Sequence, residues 1–301
     1  MKEKNLSLLA KAALFAATLI WGSSFMIVKD VVDTIPPNFL LAIRFAVGCA
    51  VLSLIFWRRL RQINRTYLWQ GAIIGALLFA AYCTQTLGIT DTTPGKNAFL
   101  TAVYCVIVPF LFWAVSKKRP DRYNIVAALI CITGIGLVSL NENLTIGMGD
   151  ALTLVGGFFY AAHMVAVSKF GRDKDPVLIT ILQFGYSAIY AAVVSLVFEQ
   201  PMPAIQWSGE LIFSMAYLAL LCTAVALLLQ SFGQKYTSPA AASIILSLES
   251  VFGVAFSVAL YEGERMTVRI GIGFLLIFAA VLISETKLSF LKTAFRKSRE
   301  S

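Results

Sequence analysis

Residues 85–94 read QTLGITDTTP, and residues 230–239 read QSFGQKYTSP. A glutamine, a glycine, a threonine and a proline of the first stretch recur 145 positions later, so that Gln85 corresponds to Gln230 and Pro94 to Pro239. Each stretch joins two long apolar segments. An internal repeat at a constant offset predicts two copies of one structural unit.

Apolar segments long enough to cross a membrane make up most of the chain. It is 58% hydrophobic and 14% charged, with a mean hydropathy of +0.79, whereas an average soluble domain is about 25% charged. A bilayer core of about 30 Å needs about 20 apolar residues per spanning helix. We therefore predict an all-α polytopic membrane protein with ten transmembrane helices. The ten segments are Ala12–Val28, Phe39–Trp57, Tyr67–Gly88, Asn97–Ser116, Tyr123–Leu140, Ala151–Ser168, Val177–Phe198, Leu211–Gly233, Pro239–Tyr261 and Ile270–Ser284.

The repeat assigns five helices to each copy. Residues 1–144 are predicted to form the first unit, and residues 145–301 the second, which ends in a basic tail. Because an odd number of helices reverses the second copy, the units are predicted to form a 5+5 inverted repeat about an axis in the membrane plane. Near the start of each unit the offset is 139, which places the extra residues of the second copy in the loop 199–210. The matched pairs there are Trp21 with Tyr160, Arg44 with Gln183 and Phe45 with Phe184.

Basic residues in the loops predict the orientation. If the N terminus is cytoplasmic, twenty Lys and Arg residues lie inside and four outside, as the positive-inside rule requires. The first segment lacks a small-x-small cleavage pattern, so we interpret it as a retained helix. Both termini are therefore predicted to be cytoplasmic. The inner residues are Lys2, Lys4, Lys11, Arg58, Arg59, Arg61, Arg65, Lys117, Lys118, Arg119, Arg122, Lys169, Arg172, Lys174, Lys235, Lys287, Lys292, Arg296, Lys297 and Arg299, and the outer ones are Lys29, Lys96, Arg265 and Arg269.

The composition argues against several other classes of protein. The net charge of +9 comes from helix ends, where the positive-inside rule and anionic lipid explain it, so no nucleic acid partner is expected. The five cysteines lie in apolar segments without metal-binding spacing. A single histidine is too few for a metal site or a Ser-His-acid set. We therefore expect no cofactor, no metal and no enzymatic activity.

Several short motifs resemble those of a known family. They are Arg44–Phe45, Thr92–Pro94, Leu248–Phe252 and Gly263–Arg265. Together with the order of ten segments, they are similar to the EamA family of the drug/metabolite transporter superfamily over about residues 11–284. The resemblance implies a 5+5 inverted-repeat carrier that moves small organic metabolites, often outward, across the bacterial inner membrane. Ser250 stands where the family pattern leads us to expect proline.

Two charged residues, Glu249 and Arg44, lie well inside the segments. Glu249 lies roughly 16 Å into the ninth segment at about 1.5 Å per residue. An ionisable group at that depth marks a functional site by default, so we predict that Glu249 binds solute or carries a proton. The alternative is a structural acid between helices. Arg44 is expected to anchor at the headgroups, and its alternative is to reach inward to Glu249 or an anionic solute.

Polar and aromatic side chains at helical spacing predict a central cavity between the halves. Each has a structural alternative, which is an interhelical hydrogen bond for the glutamines and core packing for the histidine and the aromatic residues. By the 145-residue offset, Tyr104 corresponds to Glu249. The candidates for solute binding or coupling are Glu249, His163, Tyr104, Trp21, Tyr160, Asn97, Thr101, Tyr82, Gln85, Gln230 and Arg44.

These features predict a secondary transporter that works by alternating access in the cell (inner) membrane. One acid among aromatic and amide side chains suits an amphipathic solute such as an amino acid, with export as the expected direction and Glu249 as a route for proton coupling. The alternatives are an uncoupled facilitator, and a membrane scaffold or receptor without transport. The expected partners are a small-molecule solute, the lipid bilayer and protons. Ten helices can enclose a path within one chain, so a monomer suffices, and a dimer is also compatible.

Overall fold

The computed structural model describes residues 2–117, 119–139, 146–171, 173–237, 239–262 and 266–287. Within helices, the side chains of residues 2–5, 116, 139, 239–241, 243–244 and 284–285 are not described. Some predicted features lie outside the described residues: Lys118, Arg172, the Gly263–Arg265 motif and the basic tail after Lys287.

The described chain is almost entirely helical. Its helices are α1 (Lys2–Val32), α2 (Pro37–Ile55), α3 (Arg65–Thr90), α4 (Pro94–Thr101), α5 (Tyr104–Ser116), α6 (Arg122–Ser139), α7 (Met148–Phe170), α8 (Pro176–Phe198), α9 (Gly209–Tyr217), α10 (Ala226–Tyr236), α11 (Pro239–Leu260) and α12 (Val268–Thr286). A π-helical segment, Leu218–Val225, joins α9 to α10, and a single 3₁₀ turn, Arg59–Gln62, follows α2.

Within the part of the chain that the structure describes, seven helical stretches are long and apolar enough to cross a membrane, judged by length and composition. Every predicted apolar segment falls largely on helix. The prediction of an all-helical membrane protein is therefore confirmed, whereas the number of ten spans and the side of the termini stay predictions. The seven stretches are Leu6–Val32, Pro37–Ile55, Arg65–Thr90, Pro94–Val115, Met148–Phe170, Pro176–Phe198 and Gly209–Tyr236, and three shorter apolar helices are Arg122–Val138, Ile245–Leu260 and Val268–Ile283.

Helix starts carry recognisable local signals. Proline stands in the first turn of α2, α4 and α8, where its missing amide proton would have no intrahelical partner anyway. Side-chain oxygens also cap exposed backbone amides, which offsets the cost of leaving these donors unpaired. The capping residues are Asn64, Thr93, Asp175, Ser208 and Thr267.

The fourth predicted segment is divided into α4 and α5. At the division, Val103 N donates to Leu100 O at 3.3 Å and Cys105 N donates to Ala102 O at 3.1 Å, a three-residue spacing that tightens the chain. Pro109 then lies inside α5 without an amide proton to donate. The fourth predicted segment thus contains a break in the helix just before Tyr104.

The ninth predicted segment runs as one helix, α11, through Glu249 and Ser250. Ser250 Oγ donates to Ser247 O at 2.8 Å, so its hydroxyl is satisfied within the helix. The departure from the family pattern at Ser250 therefore coincides with an unbroken helix. Glu249 keeps its predicted depth near the middle of α11.

Glycines allow the helices to pack closely. A Cβ on Gly88 of α3 would lie 2.5 Å from Thr153 Oγ1 and 2.7 Å from Gly149 O of α7. A Cβ on Gly233 of α10 would overlap the side chain of Leu14 and lie 3.1 Å from Ala10 O of α1, where Ala10 and Leu14 precede Gly149 and Thr153 by the 139-residue offset. Matched residues of the repeat therefore make matched contacts.

Helix pairing follows the same scheme. The most extensive contacts join α3 with α7, α6 with α12, α1 with α11, α2 with α8, α3 with α8 and α1 with α10. Gly71 and Gly75 of α3, which the sequence marks as a small-xxx-small pair, face Leu182 and Tyr186 of α8. These contacts leave a buried space between α1, α2, α3, α4, α5, α7, α10 and α11.

Gly88→Ala tests this close packing, with Gly271→Ala as its matched control. The added methyl at Gly88 meets the α7 backbone and forces the helices apart. We therefore expect the free energy of unfolding to fall by about 1–3 kcal/mol. Gly271 lies on α12, where a Cβ would have no neighbouring atom within 4 Å, and alanine there favours helix by up to about 1 kcal/mol. Thermal unfolding of both variants in detergent measures the difference. Equal unfolding midpoints for the two would contradict it.

Candidate functional site

All eleven predicted residues line one cavity between the helices. The lining residues come from α1, α2, α3, α4, α5, α7, α10 and α11. Binding or coupling by these residues stays a prediction. The cavity lining also includes Ser24, Phe25, Val28, Leu78, Thr86, Ile89, Met164 and Leu227, most of which are apolar.

The cavity is small, with a volume of about 50 Å³. A buried water molecule needs roughly 10–15 Å³ by the same measure, so the space accommodates a few waters. A solute as large as an amino acid requires the surrounding helices to move apart. The cavity of this structure is therefore narrow.

Glu249 provides the acid of the cavity. It is only 7% exposed, and the hydroxyl of Tyr104 hydrogen-bonds its carboxyl group. Tyr104 is the first residue of α5 and takes its position from the break that follows α4. The repeat relates Tyr104 to Glu249, and the fold brings these two residues into direct contact.

A separate network of amide and hydroxyl groups joins α3, α4 and α7. Tyr160 Oη donates to Gln85 Oε1 at 2.8 Å, and Gln85 Nε2 donates to Thr101 Oγ1 at 2.9 Å. Asn97 Nδ2 donates to Thr153 Oγ1 at 2.8 Å. Asn97 Oδ1 is buried and has no partner among the described residues, so it remains an available acceptor in the cavity wall.

Arg44 provides the positively charged side chain of the cavity. Its predicted position at the headgroups is wrong. Its side chain is buried, with 2% exposed, and Nε donates to Thr223 Oγ1 at 3.2 Å. The guanidinium carbon lies 5.3 Å from the ring centre of Tyr82, a cation–π distance. Arg44 shares the buried face of α2 with Leu41 and Gly48, so its helical phase, and not its depth, decides its direction.

His163 and Trp21 meet partners that the sequence did not predict. His163 Nε2 lies 2.9 Å from Gln183 Oε1, and Gln183 Nε2 is buried without a partner among the described residues. Trp21 Nε1 donates to Cys222 O at 2.8 Å. Gln183 had a signal in the sequence, because it is the repeat counterpart of Arg44, whereas Thr223 had none.

Glu249 and Arg44 do not form an ion pair with each other. Three ion pairs within 4.0 Å involve described residues, and none joins Arg44 to Glu249. Tyr82 lies beside Arg44, and its ring packs edge-on against Tyr160 at 5.5 Å. A buried cavity that presents a cation and an acid separately can bind a solute with both signs of charge.

A polar cluster lies where α3 ends and α4 begins, next in the chain to the lining residues Ile89 and Asn97. Thr92 Oγ1 donates to Asp150 Oδ1 at 2.5 Å, and Lys96 Nζ lies 3.3 Å from Asp150 Oδ2. Lys29 Nζ of α1 donates to Ile89 O at 2.9 Å. These bonds join α1 to α3, and α4 with the turn before it to α7, at the side predicted to face outward.

Comparisons with known proteins agree with this fold. The model of the EamA-like transporter family matches the chain twice, over residues 8–140 and 147–286. An Archaeoglobus fulgidus protein named an uncharacterized transporter is 30% identical, over 92% of this chain and 86% of its own length. The Escherichia coli (strain K12) protein YedA, named an uncharacterized inner membrane transporter, is 24% identical over 92% of this chain and 91% of its own length.

One crystal structure superimposes with a TM-score of 0.67 over 91% of this chain and 96% of its own, at 15% identity, which shows a shared fold. The apolar helices and the family match together define a multi-pass membrane protein. The chain belongs to the EamA-like transporter family.

Asp150→Asn tests the polar cluster, because it leaves Lys96 without its carboxylate in a largely buried place. Side-chain exposure is 24% for Lys96 and 5% for Asp150. We therefore expect the free energy of unfolding to fall by about 1–3 kcal/mol, which is less than for a fully buried pair. Lys287→Gln is the matched control, since its pair with Asp121 is 55% and 35% exposed and contributes under about 1 kcal/mol.

Thermal unfolding in detergent compares these variants with Lys96→Met and the double variant. Because both changes remove the same ion pair, the double variant is expected to lose less than the sum of the single losses. Strictly additive losses would show that Lys96 and Asp150 do not interact.

Proposed function

We propose that the chain is a secondary transporter that moves a small organic solute across the cell (inner) membrane by alternating access. The observation that carries this proposal is the cavity in which Arg44 and Glu249 are buried without pairing to each other. Buried ionisable groups are costly inside an apolar fold, and neither of these has an ion-pair partner among the described residues. A solute that binds both gives a reason for them, and the names of the relatives agree with transport.

The proposed architecture is ten transmembrane helices in a 5+5 inverted repeat, with units 1–144 and 145–301 and both termini cytoplasmic. The double match of the family model supports two units. The matched contacts of Gly88 and Gly233 support a symmetric arrangement of α3 on α7 and α10 on α1. Rocking of such units about a central cavity is the usual basis of alternating access. One chain supplies the whole cavity, so a monomer suffices.

The proposed solute is an amino acid or a related amphipathic zwitterion. A guanidinium suits a carboxylate, so Arg44 would receive the acid group of the solute. Glu249 and the Oδ1 atom of Asn97 would accept hydrogen bonds from its ammonium group. Trp21, Tyr82 and Tyr160 would pack against its apolar part. Export as the direction follows from the family resemblance alone.

Glu249 is also the proposed coupling residue. A carboxyl group can exchange a proton, and Tyr104 gives Glu249 a hydrogen-bond partner when the solute is absent. The second candidate is an uncoupled facilitator, in which Glu249 only binds the solute. A scaffold or receptor without transport gives no reason for a guanidinium and a carboxyl group in an internal cavity.

Glu249→Gln tests coupling in proteoliposomes loaded with a panel of labelled amino acids. In the wild type, a pH gradient is expected to accelerate the movement of at least one of them by tenfold or more. Glu249→Gln is expected to abolish the acceleration while uncoupled exchange persists. Glu210→Gln, at an exposed acid on α9, is the control and is expected to behave as wild type.

The outcomes separate the candidates. A wild type that moves a solute at the same rate with and without the gradient is a facilitator. If the Glu249→Gln variant is still accelerated by the pH gradient, Glu249 is not the coupling residue. A wild type that moves none of the panel contradicts the amino-acid proposal, and a wider panel of amphipathic solutes then tests transport itself.

Single cysteines at Gln206 and Asp173 test the orientation. Both residues are exposed, and they are predicted to lie outside and inside, respectively. A membrane-impermeant maleimide added to intact cells is expected to label Gln206→Cys, and to label Asp173→Cys only after the cells are opened. The five native cysteines lie within apolar helices, so the wild type measures the background. The reverse labelling pattern would show that the chain has the opposite orientation in the membrane.

A further inference from the structure

The π-helical segment Leu218–Val225 is the most unusual piece of backbone near the cavity. Thr223 Oγ1 donates to Leu218 O, five residues earlier, at 2.8 Å. π-Helical turns are rare and often lie at functional sites, because they widen a helix and reorient the groups on it. Here the segment carries two atoms that cavity side chains use.

Those two atoms are neighbours on one face of the segment. Trp21 Nε1 donates to Cys222 O at 2.8 Å, and Arg44 Nε donates to Thr223 Oγ1 at 3.2 Å. Both Trp21 and Arg44 line the cavity. Because Thr223 gives its single proton to Leu218 O, its oxygen is left to accept from Arg44.

The hydrogen bond from Arg44 to Thr223 uses only one edge of the guanidinium group. Thr223 occupies Nε, and Tyr82 lies at a cation–π distance from the guanidinium carbon. The terminal nitrogens of Arg44 make no hydrogen bond to the described residues. A guanidinium fixed by Nε presents its remaining donors as a fork that fits a carboxylate.

The repeat shows that this arrangement is not required for packing alone. By the two offsets, Arg44 corresponds to Gln183 and Thr223 to Leu78. The second copy of the contact therefore has neither the charge nor the hydroxyl, and Leu78 lies in the regular helix α3. Only one half of the fold combines a π-helical segment with a buried cation among the described residues.

We infer that Thr223 is a positioning residue that acts through Arg44. Held by the π-helical segment, its hydroxyl orients the guanidinium so that the terminal nitrogens bind the anionic group of the solute. Selectivity for a carboxylate-bearing solute over its neutral amide then depends on Thr223, although Thr223 itself need not touch the solute. The inference rests on the proposed function for its ligand, but the orientation of Arg44 can be tested without transport.

NMR of protein labelled with ¹⁵N-arginine in micelles tests the orientation directly. The Arg44 Nε–H signal, assigned by its absence in Arg44→Lys, is expected to exchange slowly with solvent in the wild type and in Thr223→Ser. Its exchange is expected to accelerate at least tenfold in Thr223→Val and in Thr223→Ala. Thr18→Val removes a buried hydroxyl that bonds only within α1, and it is expected to leave the signal unchanged.

Titration with acetate, a minimal carboxylate, tests the binding role in the same samples. Acetate is expected to shift the Arg44 signal in the wild type and in Thr223→Ser, and to need at least a tenfold higher concentration in Thr223→Val. Acetamide is expected to have no effect. If acetate leaves the wild-type signal unshifted, or if both Thr223→Val and Thr223→Ala keep wild-type exchange and affinity, the inference is wrong.

Transport provides a separate readout. For a labelled amino acid that the wild type moves, Thr223→Val is expected to raise KM about tenfold with the maximal rate within twofold, and Thr223→Ser to restore KM. Equal loss of maximal rate for an amino acid and its amide would indicate a structural role and overturn the inference. A wild type without transport contradicts the proposed function but leaves the NMR result to decide the role of Thr223.

Discussion

The burial of Arg44 and Glu249 inside an apolar helix assembly is the constraint on which the rest of the cavity depends. Each charged group costs several kcal/mol at such a depth unless it has partners. The fold supplies these partners by departing from regular helix. The break between α4 and α5 places Tyr104 against Glu249, and the π-helical segment places Thr223 against Arg44.

The repeat provides a symmetric frame, and the charges make it asymmetric. Gly88 and Gly233 make equivalent contacts in the two halves, because close helix crossings tolerate only the smallest side chain. The residues related by the repeat differ, since Gln183 corresponds to Arg44 and Tyr104 to Glu249. In the proposed transporter, the symmetric frame would let two units move against each other, and the unlike residues would distinguish the two ends of a zwitterion.

Much of the cavity could be predicted because depth and helical spacing are properties of the chain itself. Glu249 is far from both ends of an unbroken apolar helix, and Asn97 and Thr101, four residues apart in α4, lie on one face of that helix. The orientation of Arg44 could not be predicted in this way. At its depth, a long side chain can reach either the headgroups or the interior, and the choice depends on which face of α2 meets α8 and the π-helical segment.

The sequence by itself determined that the chain is an all-helical membrane protein of the EamA family, because length, hydropathy and a repeated motif are local or periodic signals. Only the tertiary structure decided that eleven polar and aromatic residues meet in one cavity, that Arg44 turns inward, and that Thr223 accepts a hydrogen bond from it. These features depend on helix rotation and on the register of one helix against another. Both are settled by packing among residues far apart in the chain, such as Arg44 with Thr223 and Tyr104 with Glu249.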